Sequence, residues 1–498
     1  MKVSWRTPYF LPLLSGLLLT LAFPPFHFFI PAFVALVPMF YFLERTRGWR
    51  EVLTGSLIMG LAHNVTLLYW TSIFTQAGFI FLMGYLSLYV LIWSSVHRYL
   101  LGRSRGLALV IAPFAWVCLE YLKGIGELAF TWGQLAYSLT GFPLLLQFAD
   151  STGPYGISLW IAVVNVLVFL LITADRTPVR AWLGTAIIFS FICVAEYGMY
   201  RYDMYEPDEF INVGLVQPGL DQDTKWNPAF QDSTIRLLSN QSREVADRGT
   251  DLIIWPETAV PTYLKYDLAT KTIIAELVQE LECPILLGAP HYEVLEGEYR
   301  SFNTALLYNS NGILQDKIYK KTHLVPFGER TPWEDKFDFL KDVDLGGGHF
   351  TPGNDLTLFE LDSLKIGTLI CFESIFPEIA REWRNQGAGL LVNITNDAWF
   401  KRTSAPFQHA AAVVLRAIEN RVSIARSANT GVSLTVDPLG RIRQSTPIFV
   451  RTSLQDRLPL GGELTLYTRM GDLVVILCWF VLLLGVLIGR IVEFGQTT

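Results

Sequence analysis

The sequence predicts a polytopic α-helical membrane domain of about eight transmembrane helices joined to a separate α/β domain. Three observations predict it. Of 498 residues, 51% are hydrophobic and only 17% charged, too apolar for an ordinary soluble chain. The apolar residues are concentrated in 8–200 and in one run at 474–492, while the stretch between alternates short strand-like and helix-like segments. Arginines recur in every second connection between the apolar runs.

A helix needs about 20 apolar residues to cross a bilayer. Seven N-terminal segments reach or approach that length: 8–24, 27–43, 52–71, 78–97, 106–122, 155–173 and 181–199. The eighth is 474–492. The first has Lys2 and Arg6 ahead of an apolar core, like a signal peptide. However, Leu21-Ala22-Phe23-Pro24-Pro25 is a poor cleavage site, so it reads as a retained helix. Arg45, Arg47 and Arg50, then Arg98, Arg103 and Arg105, then Arg176 and Arg180 mark alternate loops. Positive loops stay inside, so both termini are expected in the cytoplasm and 201–472 outside. The expected domains are 1–205 (seven helices), 206–460 (catalytic) and 461–498 (connection and eighth helix).

Cys118, Cys193 and Cys478 fall within spans, as small apolar filler. Cys283 and Cys371 lie in the outer domain, where pairing is one reading and a reactive Cys371 the other.

In the outer domain, strands are expected at 211–217, 251–255, 284–288, 304–309, 313–319, 356–361, 364–371, 389–394, 422–427 and 432–437. Helices are expected at 227–248, 268–281, 375–386 and 406–420. Strands alternating with helices argue for α/β layers, and runs such as Leu252-Ile253-Ile254 suit strands covered on both faces. Residues 331–355, with Trp333, Phe337, Phe339, Leu340 and Gly346-Gly347-Gly348, are expected to form a partly apolar loop or lid.

Three reactive groups sit at or just past expected strand ends: Glu257, Lys321 and Cys371. Such ends converge on the ligand side of an α/β sheet. A thiol is a weak nucleophile until deprotonated; a carboxylate takes its proton and an ammonium stabilises an oxyanion. Taken singly, each group also suits packing or a solvated charge. An acyl-transfer enzyme, a membrane-tethered amidohydrolase and a ligand-binding receptor or transporter all accommodate the pattern.

The blocks Trp255-Pro256-Glu257, Lys321-Thr322-His323-Leu324-Val325-Pro326-Phe327-Gly328-Glu329 and Ile370-Cys371-Phe372-Glu373 resemble the three catalytic blocks of the nitrilase superfamily. With the flanking spans, the chain is similar to that superfamily's membrane-embedded branch, the apolipoprotein N-acyltransferases. The resemblance implies an αββα nitrilase-like sandwich at the periplasmic face of the bacterial inner membrane. It implies a phospholipid acyl donor, a thioester on Cys371 and a diacylglyceryl-modified apolipoprotein as acceptor. Glu257 would be the base and Lys321 the oxyanion stabiliser. Glu329, Glu373, Trp226, Val325, Phe372 and Asn303 would support the site or touch substrate. No cofactor, metal or nucleic acid is expected, and a monomer suffices. The chain departs from the family at Phe372, where tyrosine is common, at Lys401-Arg402, where glycine is expected, and through 331–355. The seven histidines lack metal-ligand spacing; His323 and His409 read as structural hydrogen-bonding groups, and His63 and Asn64 as polar residues within a span.

Overall fold

The computed structural model describes residues 9–247, 249–295, 297–340 and 349–497. Lys2, Arg6 and the glycine run at 346–348 of the expected lid lie outside the described residues. The chain forms two compact units. One holds the chain to Asp203 together with the segment from Asp472; the other is Met204–Gly471.

The first unit is helical. Among the described residues, six helices are long and apolar enough to cross a membrane: Trp49–Ile73, Gln76–Leu101, Arg105–Leu122, Ala149–Thr173, Thr177–Asp203 and Leu473–Glu493. Large apolar side chains stand exposed on them, among them Ile80, Trp182, Phe189, Ile476 and Leu483. So much exposed apolar surface belongs against lipid rather than water. The first expected span is a shorter helix, Phe10–Leu21. The second, 27–43, is not one helix: it divides into Phe29–Ala32 and Val37–Arg45. Pro31 and Pro38 lack the N–H that would continue a helix. The break frees backbone groups that hydrocarbon cannot satisfy. Asn165, fully buried on Ala149–Thr173, satisfies both sides: its Nδ2 donates to the Ala32 carbonyl at 2.8 Å and its Oδ1 accepts from the Leu36 N–H at 2.8 Å. His63 Nδ1 lies 3.1 Å from Thr20 Oγ1, and Asn64 Nδ2 donates to Ser87 Oγ at 3.4 Å, so both polar residues tie helices together.

The second unit is an αββα sandwich. Its strands are β1 Phe210–Gln217, β2 Leu252–Ile254, β3 Ile285–Leu295, β4 Glu298–Tyr308, β5 Tyr319–Lys320, β6 Phe359–Leu361, β7 Leu364–Ile370, β8 Leu390–Thr395, β9 Ser423–Ala428, β10 Leu434–Val436, β11 Ile442–Ser445 and β12 Thr452–Pro459. They form two six-stranded sheets, ordered β12-β1-β2-β3-β4-β5 and β11-β10-β9-β8-β7-β6. In each, three central strands run parallel, β1-β2-β3 and β7-β8-β9, as helical crossovers require. The sheets meet through polar bonds: Ser427 Oγ donates to the Val216 carbonyl, and Gln217 Oε1 accepts from Ser433 Oγ and Thr446 Oγ1. Helices Gln231–Ala246 and Leu268–Leu281 bury Ile235, Leu238, Ile274, Leu277 and Val278 against the first sheet. Helices Pro377–Asn385 and Ala405–Asn420 cover the second.

The expected strand at 313–319 exists only as Tyr319–Lys320. Before it, Asn309 Oδ1 accepts from the N–H groups of Asn311 and Ile313 in an Asx turn, and the chain pairs with the end of β4 only through an isolated bridge, Tyr308 with Leu314. Strands β11 and β12 were not expected. They carry Arg443, Asp456 and Arg457, charges that read as loop until Asp456 is seen paired with Thr435 and Arg443. The five cysteines are free, which removes the pairing of Cys283 with Cys371.

Candidate active site

Four strand ends build the site. Strand β2 leads through Trp255-Pro256 to Glu257. Trp255 is fully buried and its indole N–H donates to Ser242 Oγ at 2.9 Å, which fixes the strand end. The chain then turns past β3 at Gly288. A Cβ there would stand 2.5 Å from the Thr258 nitrogen and 2.7 Å from the Glu257 Cα, so only glycine lets the turn approach. Lys321 directly follows strand β5, Cys371 follows β7 and Asn396 follows β8.

Lys321 is 1% exposed, and its ammonium sits between two carboxylates. Nζ lies 2.8 Å from Glu329 Oε2 and 3.5 Å from Glu257 Oε1. Burial alone would lower its pKa; Glu329 and Glu257 outweigh burial and hold it above the ordinary lysine value. Asn303 Nδ2 donates to Glu257 Oε1 at 2.7 Å and to Glu329 Oε1 at 3.2 Å, joining the two acids. Asn303 lies within β4, opposite Pro290, rather than before the strand. The Asn396 N–H donates to Glu257 Oε2 at 2.8 Å, and the Val325 N–H to Glu329 Oε2 at 2.9 Å. Both carboxylates are thereby held in one orientation.

Cys371 follows the last residue of β7 and opens a 3-10 turn, Cys371–Ile375, with φ +53°. A non-glycine residue in that region is strained by about 1 kcal/mol or more. Burial pushes the thiol above its usual range, the Glu257 charge adds to this, and Lys321 opposes it. The resting sulfur is therefore protonated at neutral pH. Phe372, the next residue, is buried and packs edge-on against Phe376 at 5.1 Å.

Glu373 is fully buried and holds the scaffold together. Its Oε1 accepts from Tyr319 Oη, the Thr322 N–H and Thr322 Oγ1 at 2.7, 2.7 and 2.9 Å; Oε2 accepts from the Ile370 N–H at 2.7 Å. One carboxylate thus ties the strand of Lys321 to the strand of Cys371. Trp226 stands apart from the polar cluster, 42% exposed at the end of the short helix Gln222–Trp226. Trp333, Phe337 and Phe339 of the expected lid are also exposed.

Sequence reasoning missed Lys225. It is 2% exposed, and its Nζ donates to the Glu257 carbonyl at 2.8 Å and to Thr258 Oγ1 at 2.6 Å. Burial pushes its pKa down to about 7, against the pull of Glu257 and Cys371. In sequence it is one lysine in a polar stretch; its only signal is adjacency to Trp226. A cluster of metal-ligand type also forms: a Cys371, an Asp397 and a His409 ligand atom lie within 4.8 Å of one another. Asp397 is already paired with Arg426 at 2.8 Å, and His409 is engaged with Asp397 and the Cys371 carbonyl.

The arrangement offers a thiol, a buried acid beside it and a fixed ammonium, the parts needed for acyl transfer through sulfur. Comparison with known proteins agrees. Residues 15–167 match the apolipoprotein N-acyltransferase N-terminal domain family, and residues 212–452 match the carbon-nitrogen hydrolase family. The apolipoprotein N-acyltransferase of Geobacter metallireducens is 35% identical over 488 residues, covering 95% of this chain and 93% of its own. That of Chlorobaculum tepidum is 31% identical over 506 residues, covering 95% and 94%. The likeness runs through the spans and the sandwich alike, and the chain belongs to the apolipoprotein N-acyltransferase family.

Proposed function

We propose that this acyltransferase moves a fatty acyl chain in two steps through Cys371. In the first, Sγ attacks the acyl ester carbonyl of a phospholipid. Because burial keeps the thiol protonated, its proton must leave as the S–C bond forms, and Glu257 receives it. The Lys321 ammonium stabilises the oxyanion. Collapse forms the thioester and expels a lysophospholipid, whose oxygen takes the proton from Glu257. In the second step the N-terminal amine of a diacylglyceryl-cysteine apolipoprotein attacks the thioester. Glu257 accepts the amine proton and returns it to the departing sulfur, leaving an amide and free Cys371.

The observation that carries this reading is the Glu257–Lys321–Glu329 cluster, buried where the strand end of Cys371 meets it, in a chain with lipid-exposed helices. General chemistry supports it. An α-amine has a pKa of about 7.7–8.0 against about 10.4 for lysine, so the acceptor is partly uncharged near neutrality. A thioester is more activated than the amide product, so no ATP is consumed. Keeping both lipids at the bilayer avoids exposing acyl chains, at about 0.8 kcal/mol per CH₂. The arginine pattern supports a catalytic domain at the periplasmic face of a bacterial inner membrane, with both termini inside. One chain supplies every group, so a monomer suffices.

The test is mass spectrometry of the purified full-length protein mixed with phospholipid. An acyl adduct on Cys371 that a diacylated lipopeptide discharges as an amide is the expected result. Discharge to water alone would indicate an amidohydrolase, and no adduct a binding protein.

A further inference from the structure

The second sheet carries a buried polar chain that ends on the nucleophile's own backbone. Arg426 on β9 pairs with Asp397 at 2.8 Å. Asp397 Oδ1 accepts from Thr395 Oγ1 at 2.9 Å and lies 2.9 Å from His409 Nδ1. The far nitrogen of that ring, Nε2, lies 3.0 Å from the Cys371 carbonyl oxygen. Arg426, Asp397 and His409 are fully buried. The Phe400 ring stands perpendicular to the imidazole at 6.0 Å. Such a chain costs desolvation, so the fold gains something by keeping it.

We infer that His409 is a positioning residue: its Nε2–H holds the Cys371 carbonyl and thereby keeps the nucleophile in the left-handed backbone conformation it adopts just past the end of β7. A cysteine relaxes out of φ +53° unless its neighbours over-determine it. The carbonyl bond is such a restraint. The charged and titratable groups facing the ring are Asp397, Arg426 and Cys371. Burial, then the Arg426 guanidinium, push the imidazole pKa below its ordinary value against the pull of Asp397. Each ring nitrogen faces an oxygen, Nε2 the Cys371 carbonyl and Nδ1 Asp397 Oδ1, with Arg426 Nη2 3.1 Å from Nδ1. Asp397, held at a pKa of about 2 because Arg426 and His409 outweigh its burial, stays ionised and fixes both neighbours.

This inference rests on Cys371 being the acyl carrier, and its test separates the two. With full-length enzyme in phospholipid vesicles, His409→Leu is expected to lower kcat by about tenfold or more with KM for the lipopeptide unchanged. His409→Gln, whose amide can reach the same carbonyl, is expected to recover kcat to within about threefold of native. Equal kcat in native enzyme and His409→Leu, or equal damage from Gln and Leu, overturns the assignment. Should the Leu variant not fold, ¹⁵N NMR of the native imidazole decides: a protonated Nε2 supports the inference and a bare Nε2 overturns it. A native enzyme that forms no acyl adduct would instead remove the role of Cys371 itself.

Discussion

Lys225 makes the fold measurably pH-dependent. Its ammonium is buried under the Glu257 turn, and its pKa is about 7 in the folded chain. Unfolded, a lysine titrates near 10.4. Between these values the unfolded chain binds a proton that the folded chain releases. Stability therefore rises with pH across the window, is complete above about 10.4, and is lost as pH falls to about 7. The slope reaches about 1.4 kcal/mol per pH unit between the two values, half that at pH 7 itself, and sums to about 2 kcal/mol from pH 7 to pH 9. Lys225→Met removes this slope whatever its two lost hydrogen bonds cost, because that cost is the same at both pH values. Cys371, whose thiol is held above its ordinary value, contributes the opposite slope above the free-thiol range, and with Lys321 it does so in native protein and variant alike, so the comparison cancels it. The assay is thermal unfolding of the full-length protein in detergent at pH 7, 8 and 9, native against Lys225→Met. For a unit this size, about 2 kcal/mol corresponds to about 4–8 °C in Tm. Native protein should gain that much more than the variant from pH 7 to pH 9. Parallel curves would show that the ammonium is already hydrated or otherwise paired, and the argument from burial would fail.

Other substitutions read other parts of the structure. Cys371→Ala should give no acyl adduct by mass spectrometry while melting as native; an adduct elsewhere would move the nucleophile. Glu257→Gln should slow adduct formation by about 10²–10⁴-fold without unfolding, and a native rate would remove Glu257 from the base role. Gly288→Ala places a methyl against backbone of the Glu257 turn, which cannot yield as a side-chain tip can. Acylation should fall by about 100-fold, and an unchanged rate would mean the turn tolerates displacement. Asn165→Leu should lower the melting temperature of the helical unit, since two buried backbone groups lose partners at about 1–3 kcal/mol each. An unchanged melt would mean that the break near residue 35 finds other partners.

Which parts were legible in the sequence follows from the range of the forces involved. Periodicity and composition are local, and they located the helix Leu268–Leu281, the buried central strands and six long apolar helices. Glu257 and Cys371 were legible because each follows an apolar run that ends abruptly, as strand ends do, and Lys321 through the sequence block it opens. What escaped depends on partners far along the chain. The division of 27–43 into two helices is one such case, because Asn165, some 130 residues away, satisfies the backbone groups it frees. Strand β12 is polar enough to pass for loop, and it pairs with β1, more than 200 residues earlier. Lys225 carries no local mark, since a lysine in a polar stretch is normally solvated, and His409, read as a structural hydrogen-bonding group, carries no local sign of which group it bonds. Their importance comes from where the sandwich buries them: one under the acid's backbone, the other against the thiol's. In both, a side chain from another element fixes a main-chain carbonyl next to a reacting group. The reacting groups were written into short motifs, whereas the restraints on their backbone were distributed across the fold and became visible only in three dimensions.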